Sequence, residues 1–125
     1  MPPDPAVRVC AARFTASRLP EGHPDAVAFT ISVEYQGGER WSVSHGLLML
    51  GGDGKWSPGY EGPFGWYEPE TEADRAAYEA AFGAWRDAHL FTLADALDLA
   101  REHAAKLVVN GLTVADVLAR TEEDA

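Results

Sequence analysis

The chain has 125 residues, a formal charge of −10 and a single cysteine, Cys10. A chain of this length can bury roughly two-thirds of its unfolded surface, so we expect one domain, residues 1–125, whose core needs neither metal nor disulfide. The lone cysteine excludes an internal disulfide and a thiolate-rich metal site, and the negative charge disfavours direct binding to nucleic-acid phosphates.

The hydropathy pattern points away from export and from membranes. Residues 1–5 lack the basic flank and apolar stretch of a signal peptide. The longest apolar run, residues 47–50, is far shorter than the roughly 18 residues that a spanning helix needs. We therefore expect a cytoplasmic protein with no membrane partner, and we predict that residues 1–5 and 121–125 are flexible.

Alternating apolar residues predict strands in the first half of the chain. Residues 7–14 suit a first strand, in which Cys10 would be a small buried hydrophobe. Residues 29–35 alternate more clearly, with Ile31 and Val33 on one face, and give the strongest strand prediction.

The next strand follows two glycines, and side-chain matching predicts the register of the resulting hairpin. A two-residue loop would place Val33 opposite Ser42 and would mix polar and apolar partners on each face. A three-residue loop, residues 37–39, pairs Val33 with Val43 and Glu34 with Ser42. We predict the second arrangement because it keeps one face apolar and the other polar.

A glycine-rich stretch then leads to the Asp53-Gly54 pair, which favours a tight hairpin turn followed by a short strand near residues 55–57. The stretch is not a phosphate-binding loop, because neither a helix start nor a Gly-Lys-Ser/Thr sequence follows it.

Residues 56–69 contain five of the thirteen aromatic residues of the chain, together with three glycines and three prolines. This composition predicts an ordered but irregular segment. In one interpretation the rings complete the core of a small domain. In the other they anchor a partner, and the candidate partner-binding residues are Tyr60, Phe64, Trp66 and Tyr67.

The tetrad Thr-x-Ala-Asp occurs at residues 71–74, 92–95 and 113–116. A threonine at the N-cap accepts a hydrogen bond from the N3 amide, and a carboxylate at N3 suits the positive end of the helix dipole. The second half of the chain is therefore predicted to contain three helices, the first covering about residues 72–88. The intervening segments differ, so the tetrads do not mark a structural repeat.

The residues that could carry chemistry are dispersed. No two histidines are closer than the 14 residues between His89 and His103, whereas helical metal sites place two histidines three or four residues apart. His45 falls on the apolar hairpin face, where a hydrogen-bonded core histidine is expected. We predict no catalytic residues, no metal and no cofactor, and an alternative function would use His45 or Asp53 in a pocket between residues 56–69 and the sheet.

Three segments resemble small uncharacterised proteins of high-GC actinobacteria and their phages. They are residues 41–43, residues 53–56 and residues 109–120. The resemblance covers about the later two-thirds of the chain and implies no activity.

Together these patterns predict an α+β domain, with an antiparallel sheet of three or four strands packed on one face by two or three helices. The favoured function is a non-enzymatic interaction or accessory module whose partner is another protein or a second copy of the chain. Two alternatives remain: a small molecule or substrate bound between residues 56–69 and the sheet, and imitation of nucleic acid by the acidic half, residues 70–125, toward a basic enzyme.

Overall fold

A computed structural model describes residues 6–7, 9–58 and 70–123. It confirms the predicted α+β class, with an antiparallel main sheet in the order β1-β2-β3-β4-β5, a second two-stranded sheet and three helices. The strands are β1 (Arg13–Ala16), β2 (Ile31–Tyr35), β3 (Trp41–His45), β4 (Leu48–Leu50), β5 (Trp56–Ser57), β6 (Val108–Val109) and β7 (Leu112–Thr113). The helices are α1 (Glu72–His89), α2 (Leu93–Ala104) and α3 (Val114–Glu123). In the described part of the chain, none of the helices is long and apolar enough to cross a membrane.

The main sheet has five strands instead of the predicted three or four because residues 48–50 form an additional short strand, β4, between β3 and β5. The β2–β3 hairpin has the predicted register, with Val33 opposite Val43 and Glu34 opposite Ser42. All three residues of the loop 37–39 have positive φ angles, of 90°, 58° and 62°. This left-handed backbone is most accessible to glycine, which occupies the first two of these positions.

Strand β1 begins later than the sequence pattern predicts. The pairing between β1 and β2 ends where the Tyr35 backbone N–H donates to the carbonyl of Ala12, because β2 gives way to the hairpin loop beyond this point. The described residues before Ala12, which are residues 6, 7 and 9–11, therefore belong to no strand, and Val7 and Val9 are 91% and 95% exposed. The prediction that Cys10 is a buried strand residue is wrong, since Cys10 is also exposed.

The core lies between one face of the main sheet and α2. We call this the apolar face; it carries Phe14, Ala16, Ile31, Val33, Trp41, Val43, Leu50 and Trp56. Ala96, Ala100 and Ala104 form a small-residue row on α2, spaced four residues apart, and are 0%, 0% and 2% exposed. These alanines let the α2 backbone approach β2 and β3 closely, which large side chains at the same positions would prevent.

All three Thr-x-Ala-Asp tetrads begin helices as predicted. Thr71 and Thr92 accept hydrogen bonds from the N3 backbone N–H groups at 3.0 and 3.3 Å. The third cap is reciprocal: the Asp116 N–H donates to the Thr113 hydroxyl at 3.1 Å, and the Thr113 N–H donates to the Asp116 carboxylate at 2.9 Å. The hydrogen bonds from the Thr113 backbone and side chain lower the pKa of Asp116 below its ordinary value.

The second sheet joins α2 to α3. The Asn110-Gly111 pair has positive φ angles of 51° and 78°, as a type I′ hairpin turn requires. Strand β7 leads directly into α3. This helix continues to Glu123 and extends into the tail that the sequence predicts to be flexible.

Candidate functional site

The two faces of the main sheet differ in the chemistry of their side chains and in the elements that pack against them. Alternation along the paired strands places the second set of side chains, which we call the polar face, opposite the core. The polar face carries Arg13, Thr15, Ser32, Glu34, Ser42, Ser44, Met49 and Ser57. Most of these side chains are small hydroxyls, which leave room above the sheet.

Helix α1 forms the wall of a groove above this polar face. A depression of about 540 Å³ lies between α1 and the sheet. It is lined by Phe82, Trp85 and Arg86 of α1 and by Glu34, Ser44 and other residues of the sheet. A second depression of about 480 Å³ shares Glu34 and Ser44 with the first and continues toward β1. We refer to the two together as the α1 groove. It is a continuous surface with a hydroxyl floor and an aromatic wall.

The wall consists of consecutive rings along α1. Phe82 and Trp85 are stacked with ring centroids 6.1 Å apart, and Trp85 is stacked on His89 at 4.5 Å. Helix α1 buries none of its residues, and Phe82 is 39% exposed. The stripe of Phe82 and Trp85 therefore borders the groove and does not belong to the core between α2 and the sheet.

The C-terminal end of α1 is fixed to the turn between β4 and β5. The Gly52 N–H donates to the Ala88 carbonyl at 2.7 Å. A Cβ atom added at Gly51 would lie only 3.2 Å from Nε2 of His89 and 2.8 Å from the Asp53 carboxylate. A side chain at position 51 would therefore displace the ends of the Asp53 and His89 side chains at this junction, which sets the position of the groove wall.

His89 and Ser57 meet at this junction in an arrangement that superficially resembles a nucleophile and its base. Nδ1 of His89 lies 2.8 Å from the Trp85 carbonyl and must donate to it, so Nε2 of the neutral ring accepts from the Ser57 hydroxyl at 3.5 Å. An acyl-transfer site also needs free N–H groups for an oxyanion. Four N–H groups of the adjacent turn are already hydrogen-bonded, namely those of Gly51, Gly52, Gly54 and Lys55. We assign His89 to holding α1 in place.

The structure separates the two residues of the alternative pocket. His45 lies at one end of β4 and Asp53 at the other. Nε2 of His45 is 2.7 Å from the Ala28 carbonyl, and its ring packs edge-on against Trp56. Asp53 accepts a hydrogen bond from the Lys55 N–H within its own turn. Both residues therefore have local structural partners.

The four candidate aromatic residues, Tyr60, Phe64, Trp66 and Tyr67, lie outside the described residues. Sequence reasoning did not identify the α1 groove, although the predicted hairpin register already places Glu34 and Ser42 on a common face. The sequence did not indicate where α1 lies relative to the sheet, because this position depends on the contact of α1 with Gly52.

Within the described ranges, no group of three or more His, Cys, Asp or Glu side chains is arranged to hold a metal ion. The fold and groove define a small α+β domain in which one sheet face is filled and the other borders an open groove. No family model, curated protein or solved structure matches this chain.

Proposed function

We propose that the protein is a non-enzymatic interaction module that receives a protein partner in the α1 groove. The observation that carries this proposal is the difference between the sheet faces: α2 fills the apolar face, whereas the polar face borders a continuous groove with an aromatic wall. Tyr60, Phe64, Trp66 and Tyr67 precede α1 in the sequence and belong to the same proposal as further partner contacts.

The shape and chemistry of the groove favour a macromolecule over a small ligand. Small-molecule sites enclose most of their ligand, whereas this groove extends across the sheet as two open depressions. Aromatic side chains beside polar groups are typical of protein interfaces. At the far end, Val27 is 89% exposed, and Leu47 directly follows the lining residue Gly46 and is 93% exposed. These two aliphatic side chains extend the surface available to a partner.

Site-specific photo-crosslinking tests this proposal. A benzophenone amino acid replaces Phe82 in the groove wall or, as a matched control, the exposed Ala80, which lies about 200° around the helix from Phe82. In cells, position 82 should crosslink to one discrete partner, and position 80 should not. Filling the groove with Ser44→Trp should reduce the crosslink at position 82 by at least about fivefold, because displacing an interface core contact costs more than 1 kcal/mol.

Equal crosslinking from both positions, or a crosslink that persists in the Ser44→Trp variant, would contradict the proposal. The mass of the crosslinked species distinguishes a second copy of this chain from a different protein. Circular dichroism of each variant establishes that a lost crosslink does not reflect unfolding.

A further inference from the structure

A separate cavity lies between the loop before β2, the β6–β7 hairpin and α3. Its volume is about 230 Å³, slightly below the range of about 300–1,000 Å³ that drug-sized ligands occupy. The cavity is therefore suited to a molecule the size of a single amino acid. We call it the α3 pocket.

The α3 pocket is lined by both apolar and polar residues, and two of the polar residues carry opposite charges. Phe29 and Val117 are buried at 3% and 4% exposure and contribute to the lining with Leu112. Asp25 and Arg120 also line the pocket. A ligand that satisfies all of these groups has a hydrocarbon part, a cationic group and an anionic group.

The two charges are available to a ligand. Among the described residues, Arg120 takes part in no ion pair or hydrogen bond, and Asp25 has only His23 as an ionic neighbour, at 3.9 Å. The Asp25 side chain is 58% exposed. The Arg120 guanidinium has the fork geometry that binds a carboxylate through two parallel hydrogen bonds.

His23 connects the two walls that carry these charges. Its Nδ1 accepts from the Asp25 N–H at 3.0 Å, so Nε2 of the neutral ring donates to the Thr121 hydroxyl at 2.8 Å. Thr121 in turn donates to the Val117 carbonyl at 3.0 Å. The loop bearing Asp25 is thereby fixed to the helix bearing Arg120 before any ligand arrives, which lowers the entropic cost of binding.

We propose that the α3 pocket binds a free α-amino acid with an apolar side chain. Arg120 pairs with its carboxylate, Asp25 pairs with its ammonium group, and the hydrocarbon side chain packs against Phe29, Leu112 and Val117. The overall charge of the protein, −10, repels a simple anion but not a zwitterion, whose net charge is zero. This proposal is independent of the partner groove, because the two sites use different residues.

Isothermal titration with leucine and three analogues tests the assignment. The analogues are 4-methylpentanoate, which lacks the ammonium group, 3-methylbutylamine, which lacks the carboxylate, and glycine, which lacks the side chain. Leucine should bind, and each analogue should bind about tenfold more weakly or worse, because each leaves a charged or apolar contact unmade. Arg120→Gln and Asp25→Asn should each weaken leucine binding by about tenfold or more.

The matched controls are Arg101→Gln and Asp98→Asn, which remove one basic and one acidic group from the exposed pair on α2 and should leave leucine binding unchanged. Failure of leucine to bind up to its solubility limit would overturn the proposal. Equal binding of leucine and 4-methylpentanoate, or undiminished binding in Arg120→Gln, would also overturn it. Chemical-shift changes at Phe29 and Val117, with none at Ser44, locate the ligand in this pocket.

Discussion

Replacing Val43 with Asp should leave most of the chain unfolded in the absence of denaturant. Val43 is fully buried at the centre of the apolar face, opposite Val33 and beneath α2. A carboxylate at this position has no charged partner, and its burial costs several kcal/mol or more. This penalty is comparable with the roughly 5–15 kcal/mol stability of a typical domain. Circular dichroism and urea denaturation measure the loss.

Ser44→Asp is the matched control because Ser44 is the next residue along β3 and belongs to the polar face. The added carboxylate borders an open groove, so the free energy of unfolding should change by less than about 1 kcal/mol. Comparable destabilisation by the two substitutions would show that the sheet faces are not divided as described.

Replacing Ala100 with Leu should lower the free energy of unfolding by about 1–3 kcal/mol. Ala100 is fully buried in the small-residue row of α2, which packs on β2 and β3. Three additional carbon atoms at this position force the helix away from the sheet or force side chains out of their preferred rotamers. Urea denaturation monitored by tryptophan fluorescence provides the measurement.

The control for this substitution is Ala94→Leu, on the exposed side of the same helix. Leucine and alanine are both good helix formers, so this change should alter the free energy of unfolding by no more than about 0.5 kcal/mol. If Ala100→Leu proved as mild as Ala94→Leu, the close approach of α2 to the sheet would be wrong.

The most local features of the fold were predictable from the sequence. The register of the β2–β3 hairpin followed from pairing Val33 with Val43, because a shift of one residue would have sent apolar side chains to the polar face. The helix starts at Thr71 and Thr92 were equally clear, since N-capping involves only residues within one turn of the helix.

Features that depend on distant contacts were not predictable in the same way. The alternation of residues 7–14 indicated a strand, but β2 offers no partner beyond Ala12. His45 and Asp53 were considered as pocket residues from their residue types alone, whereas their hydrogen bonds to the Ala28 carbonyl and the Lys55 N–H depend on the fold. The floor of the α1 groove was implicit in the hairpin register, but its wall depends on the contact between Gly52 and Ala88, which no sequence pattern specified.

The α3 pocket illustrates the same limit. Asp25 and Arg120 lie on elements far apart in the sequence, and both line the pocket. The hydrogen bond between His23 and Thr121 joins residues separated by 98 positions. No local sequence pattern links these residues to one another. Their common site emerges only from the packing of α3 against the loop before β2.

The central claim is that one face of the main sheet is filled by α2, whereas the other, on which Ser42 is buried, borders the open α1 groove. Thiol labelling of Val43→Cys and Ser44→Cys, each in a Cys10→Ser background that removes the exposed native thiol, tests it most directly. Under native conditions the thiol at position 44 should react readily, whereas the thiol at position 43 should react only through unfolding, because its side chain is buried. Similar labelling rates at the two positions would contradict the account.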